Sequence, residues 1–168
     1  MTSSNYKTEI ITYSATEMAR LLQSRVLSSK ELVQMHIEQI YRVNPAINAL
    51  VSERFDKALL EAEEIDNKRQ QNEELPYFAG VPCTIKECFA LEGMPNSSGM
   101  VSRRFLLAEK DATAVSRLRK SGFIPLGVSN LSELCMWYET NNQVYGRSNN
   151  PYDLRRIVGG SSGGEGAL

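Results

Sequence analysis

The sequence predicts an α/β fold, a mixed sheet core with flanking helices, and three observations carry that prediction. Capped amphipathic helices fill the first half, two short β-prone runs bracket a further helix in the second, and a glycine-rich loop closes the chain. The organisation expected is a helical segment over residues 1–79, then the first part of an α/β core over residues 80–168.

Each element has a local signal. Ser14-x-x-Glu17 has capping-box spacing before Met18, Leu21 and Leu22, and Ser28-x-x-Glu31 repeats it before Leu32, Val33, Ile37, Ile40 and Tyr41. The second helix is expected to end near Asn44-Pro45, since proline cannot donate to the helical ladder. A third begins after Ser52 and aligns Phe55, Leu59, Ala62 and Ile65 on one stripe, with Glu and Lys opposite. Residues 67–74 are wholly polar and read as a solvated helix end plus loop. Beyond Leu75 the pattern changes. Residues 81–85 are β-prone, and Asp111 is placed to cap a helix carrying Ala112, Val115 and Leu118 that closes at Gly122. Residues 123–128 read as a buried strand, residues 130–137 as a short helix and residues 149–153 as a turn.

Composition narrows the function. With 42% hydrophobic residues the chain has material for a core, and 19 Lys plus Arg against 20 Asp plus Glu leave a net charge of -1. No global field draws it to a polyanion, and Arg103, Arg104, Arg117, Arg119 and Lys120 are scattered without interleaved aromatics, so no nucleic-acid partner is expected. Cys83, Cys88 and Cys135 are an odd count without paired ligand spacing, which suits reduced thiols in a cell. Cys83 and Cys88, flanking Lys86, read as core thiols ahead of a metal pair, and His36, the sole histidine, as a helix-surface residue. No metal, no cofactor and no His-centred catalysis are expected. The amino terminus lacks the apolar core of a signal peptide, and no transmembrane segment is legible, so the expected location is cytoplasmic.

The tightest backbone demands fall in residues 159–168, where five of ten residues are glycine. Gly159-Gly160-Ser161-Ser162-Gly163-Gly164 admits three readings. A flexible linker belongs between polar segments, and this one lies between Ile157-Val158 and Ala167-Leu168. A phosphate cradle lacks the Gly-Lys-Ser/Thr ending and the strand–turn–helix fingerprint. A catalytic loop has glycines for close approach to a substrate carbonyl and two hydroxyls for proton transfer. A serine there needs a base, and without a usable histidine the base is a lysine held neutral; full burial lowers a lysine pKa by up to about 3–5 units. Lys86 follows an apolar strand and precedes Cys88, Phe89, Ala90 and Leu91, which marks it for that role. The alternative is a strand-end lysine that snorkels to solvent and pairs with Glu87.

Taken jointly, Gly80-x-Pro82-x-x-x-Lys86-Glu87, Asp111-Ala112-Thr113, Ser129-Asn130 with Glu133, Tyr145-Gly146-x-x-x-Asn150-Pro151 and Gly159-Gly160-Ser161-Ser162-Gly163-Gly164 resemble the opening half of the amidase signature family. Residues 94–99, 133–139 and 145–154 resemble its fatty-acid amide hydrolase 2 branch in particular, and the likeness covers roughly residues 15–168. The resemblance implies an amidase-signature fold of which this is the N-terminal portion, and amide hydrolysis by a Ser–cis-Ser–Lys triad. Lys86 would be the general base and Ser161 the bridging serine, after a cis peptide bond at Gly160. Ser162 would lie close behind and orient the lysine, and Gly159 and Gly160 would belong to the substrate and oxyanion region. Cys135 and Met136, with Trp137, would line an acyl pocket; on composition alone that cluster reads as core. The family's nucleophile lies in a second Gly-Gly-Ser farther along, and a terminus of Gly166-Ala167-Leu168 with no closing element reads as a fragment.

A small-molecule amide, as a generic carboxamide or a fatty-acid amide, is the partner so implied. An unpaired strand edge leaves a homodimer open. Two rival readings stand beside this one. The amidotransferase A subunit shares the signature and releases ammonia from glutamine for tRNA-bound substrates. A non-catalytic truncated module fits the missing nucleophile.

Overall fold

The computed structural model describes residues 10–168, and the polar amino terminus read above falls mostly outside them. Helix α1 (Ala15–Gln23) and helix α2 (Ser29–Ile47) both start at complete capping boxes, Ser14 with Glu17 and Ser28 with Glu31. Each box satisfies donors that the first turn leaves open, a contribution of about 1 kcal/mol. α2 runs past the point where the sequence was expected to stop it, with Pro45 inside its last turn. Proline removes one ladder bond there, and side-chain and loop bonds secure the helix end instead. Asn44 Oδ1 accepts from the N–H groups of Ala49 and Leu50, its Nδ2 donates to Leu50 O, and Asn149 N donates to Ile47 O.

Strand β1 (Leu50–Glu53) follows, then helix α3 (Phe55–Gln70). The expected stripe on α3 is found: Phe55 and Ala62 are buried together with Ala58, and Leu59 and Ile65 pack against the same cluster. β1 has no counterpart in the sequence reading, because four residues are too short to show an alternating pattern. Strand β2 (Pro82–Lys86), helix α4 (Thr113–Lys120) and strand β3 (Ile124–Ser129) form the expected strand–helix–strand unit. The sheet order is β1-β3-β2, with β2 parallel and β1 antiparallel to β3. β3 is central and buried along its whole length, which is why its sequence reads as a continuous apolar run. A two-stranded ribbon of β4 (Asn141–Asn142) and β5 (Gly146–Arg147), and the short helix α5 (Gly163–Ala167), complete the fold.

Three apolar clusters hold these layers. One joins α2 and α3 to β1 and β3 through Val33, Ile37, Leu50, Phe55, Ile124 and Leu126. A second packs α1 on α2 through Met18, Leu22, Leu32 and Met35, with Val81 before β2. The third sets α4 on the sheet through Val115, Ile85 and Val128.

Two further expectations need correction. Asp111 does not cap α4; its carboxylate accepts from Glu92 N and from Arg119, and Ala112 occupies the N-cap position. The stretch 130–137 is not a helix. It holds one 3-10 turn, Glu133–Cys135, with Leu134 at φ 52. Its polar side chains bond to nearby backbone and so compete with a helical ladder: Asn130 Oδ1 accepts from Leu131 N, and Ser132 Oγ donates to the carbonyls of Trp137 and Glu139.

Candidate active site

The parallel pairing of β2 with β3 places Lys86 opposite Ser129 at the carboxyl ends of both strands. From there the Lys86 side chain, half-buried, reaches the glycine-rich loop. Its Nζ donates to Ser161 Oγ at 2.6 Å, across 75 residues of sequence. The peptide bond between Gly160 and Ser161 is cis. The alternative of a lysine paired with its neighbour does not hold, because Glu87 is fully buried and bonded elsewhere. Successive strand residues face opposite ways, and Lys86 and Glu87 part accordingly.

The loop itself is anchored and is no free linker. Thr140 Oγ1 donates to Gly159 O at 2.9 Å and accepts from Gly163 N at 2.8 Å. Ser132 N donates to Ser161 O at 3.2 Å, and Gly164 N to Asn130 O at 3.2 Å. The glycines serve this packing. A Cβ at Gly163 would meet Thr140 Oγ1 at 2.2 Å, and one at Gly164 would meet Asn130 N at 2.4 Å. Gly159 is the exception, at φ +92 with open space around the position of a Cβ. Ser162 is exposed, and its side chain makes no hydrogen bond to Lys86 among the described residues.

Glu87 is the residue whose importance sequence reasoning missed. Its carboxylate accepts four hydrogen bonds, from Ser97 N and Ser97 Oγ at 2.6 Å, Ser98 N at 2.8 Å and Tyr145 Oη at 2.7 Å. Such charge-assisted bonds are the strong ones, and here they fasten the loop after β2 to the strand end that carries Lys86. Burial, with the Glu87 carboxylate that it donates to, pushes the Tyr145 phenol above its usual range. The adjacency of Glu87 to Lys86 was the signal available in the sequence, though it did not name the partners.

The thiols flank this centre without forming a ligand set. Burial, with the Glu165 charge adding to it, pushes Cys83 up to about 12, and burial with Cys135 alongside pushes Cys88 up to about 11. Among the described residues, no group of three or more His, Cys, Asp or Glu side chains is placed to hold a metal ion. Cys135 is half-buried, but Met136 is 76% and Trp137 58% exposed, so this cluster is not core. Trp137 stacks on Tyr138 with ring centroids 4.6 Å apart, beside the loop that carries Ser161. A cavity of about 740 Å3 lies elsewhere, lined by His36, Ile40, Val43, Thr84 and Glu165 and by neither Lys86 nor Ser161. His36, expected on the helix surface, is half-buried there, with its Nδ1 2.8 Å from Leu32 O. No helix among the described residues is long and apolar enough to cross a membrane.

Known proteins resemble this chain in sequence and in fold. Residues 31–168 match the model of the amidase family. The chain is 50% identical over 164 residues to fatty-acid amide hydrolase 2 of Homo sapiens, across 94% of this chain and 31% of that protein. It is 36% identical over 159 residues to the glutamyl-tRNA(Gln) amidotransferase A subunit of Acidothermus cellulolyticus, across 95% and 32%. Among solved structures, a fatty acid amide hydrolase superposes with a TM-score of 0.91 at 26% identity, over 99% of this chain and 29% of that one. A 6-aminohexanoate cyclic dimer hydrolase gives 0.82 at 35%, over 92% and 31%. The chain thus spans about a third of the length of the curated relatives it matches. With the family pattern running through both strands, α4 and the glycine loop, and the same α/β architecture recurring in solved amide hydrolases, the chain belongs to the amidase family.

Proposed function

We propose that these residues supply the proton-transfer half of an amide hydrolase, with Lys86 as general base and Ser161 as the relay between that base and the nucleophile. The observation that carries the reading is the 2.6 Å contact between Lys86 Nζ and Ser161 Oγ. With the amine deprotonated, the Ser161 hydroxyl donates to its lone pair and can in turn accept a proton from a second hydroxyl. That second hydroxyl is a serine outside these 168 residues, and it attacks the amide carbonyl. The proton held by Lys86 passes back through Ser161 to the leaving amine, and water then releases the acid from the acyl-enzyme. The carboxamides meant include fatty-acid amides, a choice supported by the 50% identity to fatty-acid amide hydrolase 2. An amidotransferase A subunit ranks second, supported by the lower identity of 36%.

In the natural gene product, Lys86→Ala is expected to lower kcat for a long-chain primary fatty-acid amide by about 10²–10⁴. Retention of most activity would remove Lys86 from the mechanism. A fluorophosphonate is expected to label the natural gene product at a serine other than Ser161. An adduct on Ser161 would reassign that residue as the nucleophile.

A further inference from the structure

The helix that follows the glycine loop carries a carboxylate with an unusual pair of partners. Glu165 Oε1 accepts from Ser129 Oγ at 2.5 Å, and its Oε2 accepts from Thr84 Oγ1 at 2.8 Å. One donor belongs to the strand that carries Lys86 and the other to the strand paired with it. Thr84 lies two residues before Lys86 on β2, so the two side chains leave the same face, and Ser129 is the register partner of Lys86 on β3. No cation pairs with Glu165 among the described residues.

Spacing gives this contact its meaning. Ser161 and Glu165 are four residues apart, Ser161 just before the N-cap Ser162 and Glu165 inside α5. Lys86 and Thr84 are two residues apart, an advance of about 6.6 Å along a strand. The bridges Lys86–Ser161 and Thr84–Glu165 are two rungs between β2 and the segment 161–165. α5 has five residues and its N-cap Ser162 makes no side-chain cap, so the helix by itself does little to fix the loop. Thr140 and Asn130 hold the loop from the side facing the 130–140 stretch.

We propose that Glu165 is a positioning residue, a clamp that sets how far along β2 the Ser161 hydroxyl is held and so keeps it on Lys86. The proposal rests on the Lys86–Ser161 reading above. Misplacing a proton relay by about 1 Å costs on the order of 10²-fold in rate, with little effect on binding.

The test uses the natural gene product with a long-chain primary fatty-acid amide. Glu165→Ala is expected to lower kcat by roughly 30–100-fold and leave KM within about twofold. Glu165→Gln is expected to recover to within about threefold, because an amide offers an acceptor to one hydroxyl and a donor to the other. In a Thr84→Val/Ser129→Ala background, Glu165→Ala is expected to cost less than about threefold more, the mark of a shared interaction. Thr84→Val removes one rung and reads the same effect if Glu165→Ala does not fold. Unchanged kcat in Glu165→Ala or Thr84→Val beside an inactive Lys86→Ala overturns the clamp alone, as does full additivity in the double-mutant cycle. Full activity in Lys86→Ala, or none in the parent protein, overturns the base assignment and the clamp with it.

Discussion

Residues 10–79 are held by apolar stripes on capped helices, whereas residues 80–168 bury a carboxylate, two asparagine amides and a series of hydroxyls. Of the nine buried polar residues described, Ser29 alone falls in the first region; Glu87, Ser97, Ser129, Asn130, Ser132, Thr140, Asn142 and Ser148 fall in the second. The quality of satisfaction differs too. Ser29 Oγ is buried without a hydrogen-bond partner, while the second group is tied into a network that runs from Glu87 through Ser97 and Tyr145 and from Asn130 through Asn142 and Ser148. A helical layer tolerates an unpaired hydroxyl because packing carries its stability. A site built from loops has few apolar contacts, so directional bonds must fix its geometry, and each bond is costly to lose.

Substitutions can break or sharpen this contrast. The largest effect is expected at Glu87→Ala, which leaves two buried and two partly buried donors without their acceptor and should cost about 3–4 kcal/mol in urea unfolding. A loss below about 1 kcal/mol would mean that the second region does not depend on its network. In the first region, Ser28→Ala removes one capping box and should cost about 1 kcal/mol. His36 supplies a smaller, pH-dependent effect. Burial lowers its proton affinity, so the unfolded chain binds more protons, and stability is full above its ordinary pKa of about 6.5 and falls as pH drops below it. His36→Gln should flatten that slope; an unchanged slope would place the titrating group elsewhere. Least of all, Ser29→Ala should fall within about 0.5 kcal/mol of the parent, since no bond is lost.

Legibility in the sequence follows the same division. Both capping boxes were readable because donor and acceptor are three residues apart, and the α3 stripe because its period is helical. The β2-α4-β3 unit was readable from one apolar run on either side of a capped segment, although Ala112 and not Asp111 stands at the cap. Misreadings concentrated where side-chain bonds to the backbone override helical preference. Pro45 fits inside α2 because Asn44 and Asn149 secure the helix end, and 130–137 declines to form a helix because Asn130 and Ser132 turn their side chains onto the backbone.

By itself the sequence determined helices α1 to α4, strands β2 and β3 and, through the pattern of Lys86 and the glycine loop, the family. These depend on residues near each other along the chain or on motif order. What the tertiary structure decided is which further polar groups meet: Glu87 with Ser97 and Tyr145, and Glu165 with Thr84 and Ser129. The physical reason is that a hydrogen bond needs its partners within about 3 Å. Separations of 58 and 81 residues carry no periodic signal of such a meeting until the sheet and its crossover have formed.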